Sequence, residues 1–157
     1  MYSFDPGALI FFPVSCTNLD GTRVELMATG AEASALLLFA HGARDASWAA
    51  PFLRMVARLR NKEPGVRVEL AFLECMDPTL ESAVRALAAD GVEHITVVPL
   101  FLAQGGHLKN DLPKLLAQIR ARHPSVEIKV SSSIGESEDL TNAIADWAFA
   151  QHVARSR

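Results

Sequence analysis

The sequence predicts an α/β domain: a four-stranded parallel sheet with strand order 2-1-3-4 and helices on both faces. Three observations predict it. Four short runs rich in Val, Ile, Leu and Phe recur between residues 35 and 132 and are mostly too continuous for strands exposed on one face. A segment with apolar residues at helical spacing follows each run, and such connections join parallel strands through right-handed crossovers. Cap and turn residues stand at the junctions.

The first run, "ALLLFA" at 35–40, is followed by Trp48, Phe52, Met55, Val56 and Leu59 at helical spacing, with Asp45 or Ser47 as N-cap and Pro51 in the first turn. The second, "VRVELAFLE" at 66–74, leads to a helix carrying Leu80, Val84 and Leu87. Asp77 is its expected cap, Pro78 its first residue and Gly91 its end. The third, "HITVVPLFL", leads through "AQGGHLK" to a helix with Leu112, Leu115, Leu116 and Ile119, capped by Asn110 or Asp111 with Pro113 in its first turn. The fourth, "VEIKVSS", is followed by a helix with Leu140, Ile144 and Trp147.

With 157 residues, the chain is long enough for one domain that buries roughly two-thirds of its unfolded surface. Residues 35–157 are expected to form that domain and residues 1–34, which lack the regular pattern, an extension, disordered or non-native; Met27 offers an alternative start. Charged residues make up 21% and the net charge is -3, a balance that points to neither nucleic acid nor an anionic membrane. Cys16 and Cys75 show no paired spacing and suit reduced thiols in a cytoplasmic protein. The apolar stretch "ALIFFPVSC" is too short to span a bilayer, and no Lys or Arg precedes it as in a signal peptide.

Ligands of open parallel sheets sit beyond the carboxyl ends of the strands, near the reversal of strand order. The first strand ends in "FAHGARD", the second in "AFLECMD" and the third in "PLFLAQGGH", which place His41, Glu74 and His107 on three adjacent strand ends. Two imidazoles and a carboxylate suit a divalent transition metal, and three protein donors leave positions open for exchange. Gly105 and Gly106 are expected to bend the backbone so that His107 turns inward. Arg44 and Lys109 in the same loops suit carboxylates of a ligand. Asp45 and Asp111 are read as helix caps, while His94, His123 and His152 lie away from this edge. Trp48, Phe52, Phe101 and Leu102 either line a wall for a planar ligand or belong to the core.

The segments "HGARD", "FLECMDPTLESAV" and "VVPLFLAQGGHLKNDLP" resemble the small, single-domain sirohydrochlorin cobaltochelatase and ferrochelatase family, over roughly residues 35–150. The resemblance implies a three-layer chelatase-like fold, a homodimer, and insertion of Co(II) or Fe(II) into sirohydrochlorin in cobalamin or siroheme synthesis, without an organic cofactor. Ni(II) suits the same donors. The family's metal-binding histidines match His41 and His107, and its acidic residue matches Glu74. Ala43 stands where many relatives carry serine, and no histidine-rich tail is present.

Two other readings compete. A non-catalytic metal or tetrapyrrole carrier would use the same pocket without turnover. An α/β-hydrolase would use "LLLFAHG" as its oxyanion strand, but needs a GxSxG elbow that "SSSIGES" does not supply. A histidine phosphatase is weaker still, because it wants Arg-His-Gly where the chain has "AHG".

Overall fold

A computed structural model describes residues 16–17, 23–24, 33–103 and 106–154, with side chains for 33–103 and 110–154. The chain divides into two compact units, Met1–Ala31 and Glu32–Arg157. In the first, β1 (Cys16–Thr17) pairs antiparallel with β2 (Arg23–Val24). The expectations for residues 1–34, an extension and an alternative start at Met27, fall almost wholly outside the described residues.

The second unit holds the parallel sheet. Its strands are β3 (Ser34–Ala40), β4 (Arg67–Phe72), β5 (His94–Pro99) and β6 (Glu127–Val130), in the order β4-β3-β5-β6. Counted within this sheet, that is 2-1-3-4, and all three pairings are parallel. The central strand β3 is the most continuous apolar run because both its faces are covered: Leu37, Phe39 and Ala40 have no exposed surface.

The connecting helices are α1 (Ala50–Lys62), α2 (Leu80–Ala89), α3 (Gly106–Arg122) and α4 (Glu138–Ala154). Leu37, Phe39, Ile95 and Val97 on one face of the sheet join Leu80, Val84 and Leu87 of α2 and Leu112, Leu116 and Ile119 of α3 in one core cluster. On the other face Leu38, Ala40, Val68, Leu70 and Phe72 pack with Val56 of α1.

Three helix starts differ from expectation. A 3-10 turn, Ala46–Ala49, precedes α1; Asp45 caps that turn by accepting from the Ser47 N–H at 2.9 Å, and Pro51 follows in the first turn of α1. Helix α2 begins at Leu80 with Thr79 as its cap, because the Asp77–Pro78 segment still belongs to the sheet edge. The Pro78 carbonyl accepts from the Phe72 N–H at 2.9 Å, and Thr79 bridges to Phe72 before its side chain accepts from the Ser82 N–H. Helix α3 begins at Gly106, so Pro113 lies inside it and Asp111 pairs with Lys114 at 3.6 Å on the helix surface rather than capping. Proline removes one backbone bond there, and a helix of 17 residues continues on both sides of the gap.

The fourth helix departs furthest. Leu140, Ile144 and Trp147 lie on a helix as expected, yet no residue of α4 is buried. Its helical pattern is real, but the helix stands off the sheet and leaves a cavity of about 460 Å³ lined by Met55, Leu100, Leu102, Ile144 and Trp147 among others.

Candidate metal site at the strand ends

Beyond Ala40 the chain does not leave the sheet at once. The Leu73 N–H donates to the Ala40 carbonyl at 2.9 Å and the Glu74 N–H to the His41 carbonyl at 3.0 Å, so the β3–β4 ladder runs on past the strand ends. That register sets His41 beside Glu74. Their side chains meet, with His41 Nδ1 3.3 Å from Glu74 Oε1. Both are more than half exposed, which leaves the pair open to a large ligand.

Backbone geometry on either side holds this pair in place. Gly42 has φ +91° and passes so close to the neighbouring loop that a Cβ would stand 1.9 Å from the Glu74 carbonyl oxygen. No other residue fits there, both because of that oxygen and because φ is positive. Cys75, at φ 63°, turns the chain away directly after Glu74. The loop is then tied back to the sheet through Phe72 and Pro78.

On the other flank the Leu100 N–H donates to the Phe39 carbonyl at 2.8 Å, extending the ladder from β5. Phe101, almost fully buried, packs edge-on against Phe39 (ring centroids 5.5 Å) and against the His41 imidazole (6.3 Å, planes at 88°). Its carbonyl accepts from Gly135 N–H at 3.1 Å, and a Cβ on Gly135 would stand 1.8 Å from the Leu102 oxygen.

The sequence-derived site residues separate accordingly. His41 and Glu74 are brought into contact. His107 lies in the first turn of α3 and Lys109 one turn into it; their side chains, like the Gly105 bend, lie outside the described residues. Arg44 is exposed in the turn after His41. Among the described residues no group of three metal-donor side chains is assembled, so the described part of the site is a pair. Asp45 acts as a cap, and the Ser47 N–H holds its carboxyl below the usual carboxylate range.

Of the four aromatic or aliphatic candidates for a planar wall, Trp48 and Phe52 stack on each other at 4.7 Å and pack against the α1-side core. Phe101 is buried behind His41, and Leu102 alone is exposed, on the cavity beneath α4. Gly42 and Gly135 were not singled out from sequence. For Gly42 the His-Gly pair directly after a buried strand is a usable signal; for Gly135 there is none, since Leu102 is remote in the chain.

Fold and site together define a parallel α/β protein that presents an imidazole and a carboxylate side by side where the adjacent strands β3 and β4 end. Residues 35–149 match the family model described as CbiX. The chain belongs to that family. It is 32% identical over 111 residues to a sirohydrochlorin cobaltochelatase of Sulfurisphaera tokodaii, covering 71% of this chain and 88% of that one. It is 38% identical over 76 residues to a sirohydrochlorin ferrochelatase of Bacillus subtilis, but there it spans only 29% of the relative's length. Among solved structures, a CbiX protein from Marinobacter aquaeolei superposes with TM-score 0.68 at 33% identity, over 78% of this chain and 98% of that one. SirB of Bacillus subtilis with Fe3+ gives TM-score 0.62 at 30% identity, over 72% of this chain and 45% of the longer SirB. The hydrolase alternative falls with these matches and with a parallel sheet of four strands among the described residues.

Proposed function

We propose that the protein is a sirohydrochlorin chelatase of the lyase class, which inserts Co(II) or Fe(II) into the tetrapyrrole. The observation that carries the reading is the 3.3 Å separation of His41 Nδ1 and Glu74 Oε1. Two N and O donors bonded to one tetrahedral metal at about 2.0–2.1 Å stand about 3.3 Å apart, so the pair is already spaced as one edge of a coordination polyhedron. His107, in the first turn of α3, is the third donor in this proposal. Such a mixed imidazole and carboxylate set binds Co(II), Fe(II) or Ni(II) without sorting them strongly, and its exposure suits a metal that must leave again.

Insertion exchanges one divalent ion for two pyrrole N–H protons. The protons leave the ring nitrogens, the nitrogen lone pairs bind the metal, and the donors that held the hydrated ion release it. A base within hydrogen-bond reach is required, and Glu74, His41 and His107 are the groups at this edge that serve. Arg44 and Lys109 are assigned to the substrate's carboxylates, Arg44 by a bidentate pair and Lys109 as a point charge. Part of that remote binding energy supports bending of the macrocycle toward the metal.

We read the active form as a homodimer. Leu140, Ile144 and Trp147 lie on one side of α4 while Phe149 and Val153 lie on the opposite side, and all five are exposed. A helix apolar on two sides is stable in water when both are covered. No helix among the described residues is long and apolar enough to cross a membrane, and the exposed Cys75 thiol suits the reducing cytoplasm.

The visible spectrum of sirohydrochlorin follows metal insertion directly. With Co(II) in excess, His41→Ala, His107→Ala and Glu74→Gln should each lower the turnover rate by roughly 100-fold, the scale of a lost catalytic base or ligand. Wild-type rates in both histidine variants would refute the site. A wild-type protein that stops at one equivalent of product is a carrier instead.

A further inference from the structure

The two outer strands of the sheet are β4 and β6. On β4 the Leu73 N–H turns toward β3, so by alternation Val68, Leu70 and Phe72 turn their peptide groups away from the sheet. On β6 the Glu127 and Ser131 N–H groups donate to Glu93 and Val97, which leaves Ile128 turned outward. One outward carbonyl on each outer strand is occupied by arginine. Val68 accepts from Arg60 Nε at 3.0 Å and from its Nη2 at 2.6 Å, and Ile128 accepts from Arg120 Nη2 at 2.7 Å.

The two contacts share more than chemistry. Each arginine stands eight residues before the carbonyl it caps, on the last turns of the helix that feeds the strand. "LRNKEPGVRV" at 59–68 and "IRARHPSVEI" at 119–128 align with Arg, Pro and Val at equal offsets and an aliphatic residue at each end. Their backbones repeat as well: Glu63 and His123 N–H groups donate to Leu59 and Ile119, and Val66 and Val126 to Glu63 and His123, all at 3.0 Å. The third connection, from α2 into β5, supplies an internal control. It reads "LAADGVEHI", has neither the Arg nor the Pro, and ends its helix with Gly91 at φ +81°. Strand β5 lies between β3 and β6 and has no outer edge to cap.

We infer that the element Arg-x3-Pro-x-Val-x-Val/Ile closes the edges of this sheet against pairing with the edge of a second copy of the chain. A free outward carbonyl is an acceptor for another strand's N–H, and an edge strand is a template for such pairing. The guanidinium removes that acceptor with charge-assisted bonds and sets a positive charge where the second strand would lie. Closure matters more on β4. There a groove of about 290 Å³ runs beside the strand, with Val56, Leu70 and Phe72 among its apolar lining and Arg60 in its wall, so an added strand would gain side-chain burial too. Glu69 Oε2, 3.2 Å from Arg60 Nη2, holds the arginine across its own strand.

Arg60→Met and Arg120→Met keep the aliphatic stem and lose every donor; Arg58→Met, an exposed arginine on the same helix as Arg60, controls for lost charge. Static light scattering of the full chain at matched concentration should grow roughly tenfold faster for Arg60→Met than for wild type, and less steeply for Arg120→Met. Arg58→Met should follow wild type. Far-UV circular dichroism before incubation separates association of folded protein from unfolding. If Arg60→Met does not fold, Arg120→Met asks the same question at the other edge. Scattering that matches Arg58→Met for every folded cap variant overturns the inference.

Discussion

Helices α3 and α4 are each 17 residues long and each follows a sheet strand, yet α3 buries Leu112, Leu116 and Ile119 while α4 buries nothing. Apolar content does not separate them, since α4 carries Leu140, Ile144, Trp147, Phe149 and Val153. Arrangement does. The α3 residues fall at 112, 115, 116 and 119, one stripe that fits one face of the sheet, whereas those of α4 divide between opposite sides. One helix is thus satisfied by its own sheet, and the other by its own sheet only in part.

The largest effect that tests this contrast is Ile119→Ala. The side chain has no exposed surface and sits in the cluster shared by β3, β5, α2 and α3. Removal should cost about 2–5 kcal/mol, the range for deleting a large aliphatic side chain in a closed core. Urea unfolding followed by tryptophan fluorescence measures it. A cost under about 1 kcal/mol would mean that the α3 face is as loosely covered as the α4 face.

Next in size is Gly42→Ala. The added Cβ meets the Glu74 carbonyl at 1.9 Å and forces an alanine to φ +91°. Backbone held in such a region costs about 1–3 kcal/mol, and relief comes only by moving the His41 or Glu74 backbone. The variant should therefore lose stability and Co(II) affinity together, whereas Arg44→Ala should lose no stability. Calorimetric titration with Co(II) beside a urea melt reads both. Unchanged Co(II) binding in a destabilised Gly42→Ala would detach the glycine from the metal pair.

The strands and the positions of His41 and Glu74 at strand ends were legible because they rest on short-range patterns: a continuous apolar run makes a buried strand, and its end fixes which residue reaches the carboxyl edge. Helix starts were less legible. Asp77 and Pro78 have the chemistry of an N-terminus, but the Phe72–Pro78 hydrogen bond and the Thr79 bridge keep them at the sheet edge. That contact closes a loop of six residues and follows neither the helical nor the strand period. Pro113 misled for a related reason, since a long helix absorbs one missing bond in its interior. Gly135 against Leu102 and the two arginine caps depend on partners in other elements. The spacing of Leu140, Ile144 and Trp147 announces a helix and not what covers it.

The smallest expected effect is the most informative about α4. Ile144 is 47% exposed and lines the cavity between α4 and the end of β5, so its truncation removes little buried contact within one chain. Ile144→Ala should change the unfolding free energy by less than about 0.5 kcal/mol at protein concentrations low enough to keep chains apart, the usual range for a surface substitution. The same change made at Ile119 is several-fold costlier, although residue type and helix length are the same. At higher concentration the outcome should diverge: if a second copy covers α4, stability of the wild type rises with concentration by mass action, and Ile144→Ala with Trp147→Ala weakens that rise. Sedimentation equilibrium across a hundredfold range of concentration, roughly the span over which such linkage changes stability by about 2.7 kcal/mol, reads the association directly. A cost at Ile144 equal to that at Ile119 in dilute solution would show α4 seated on its own sheet, with the cavity closed and no face left for another chain.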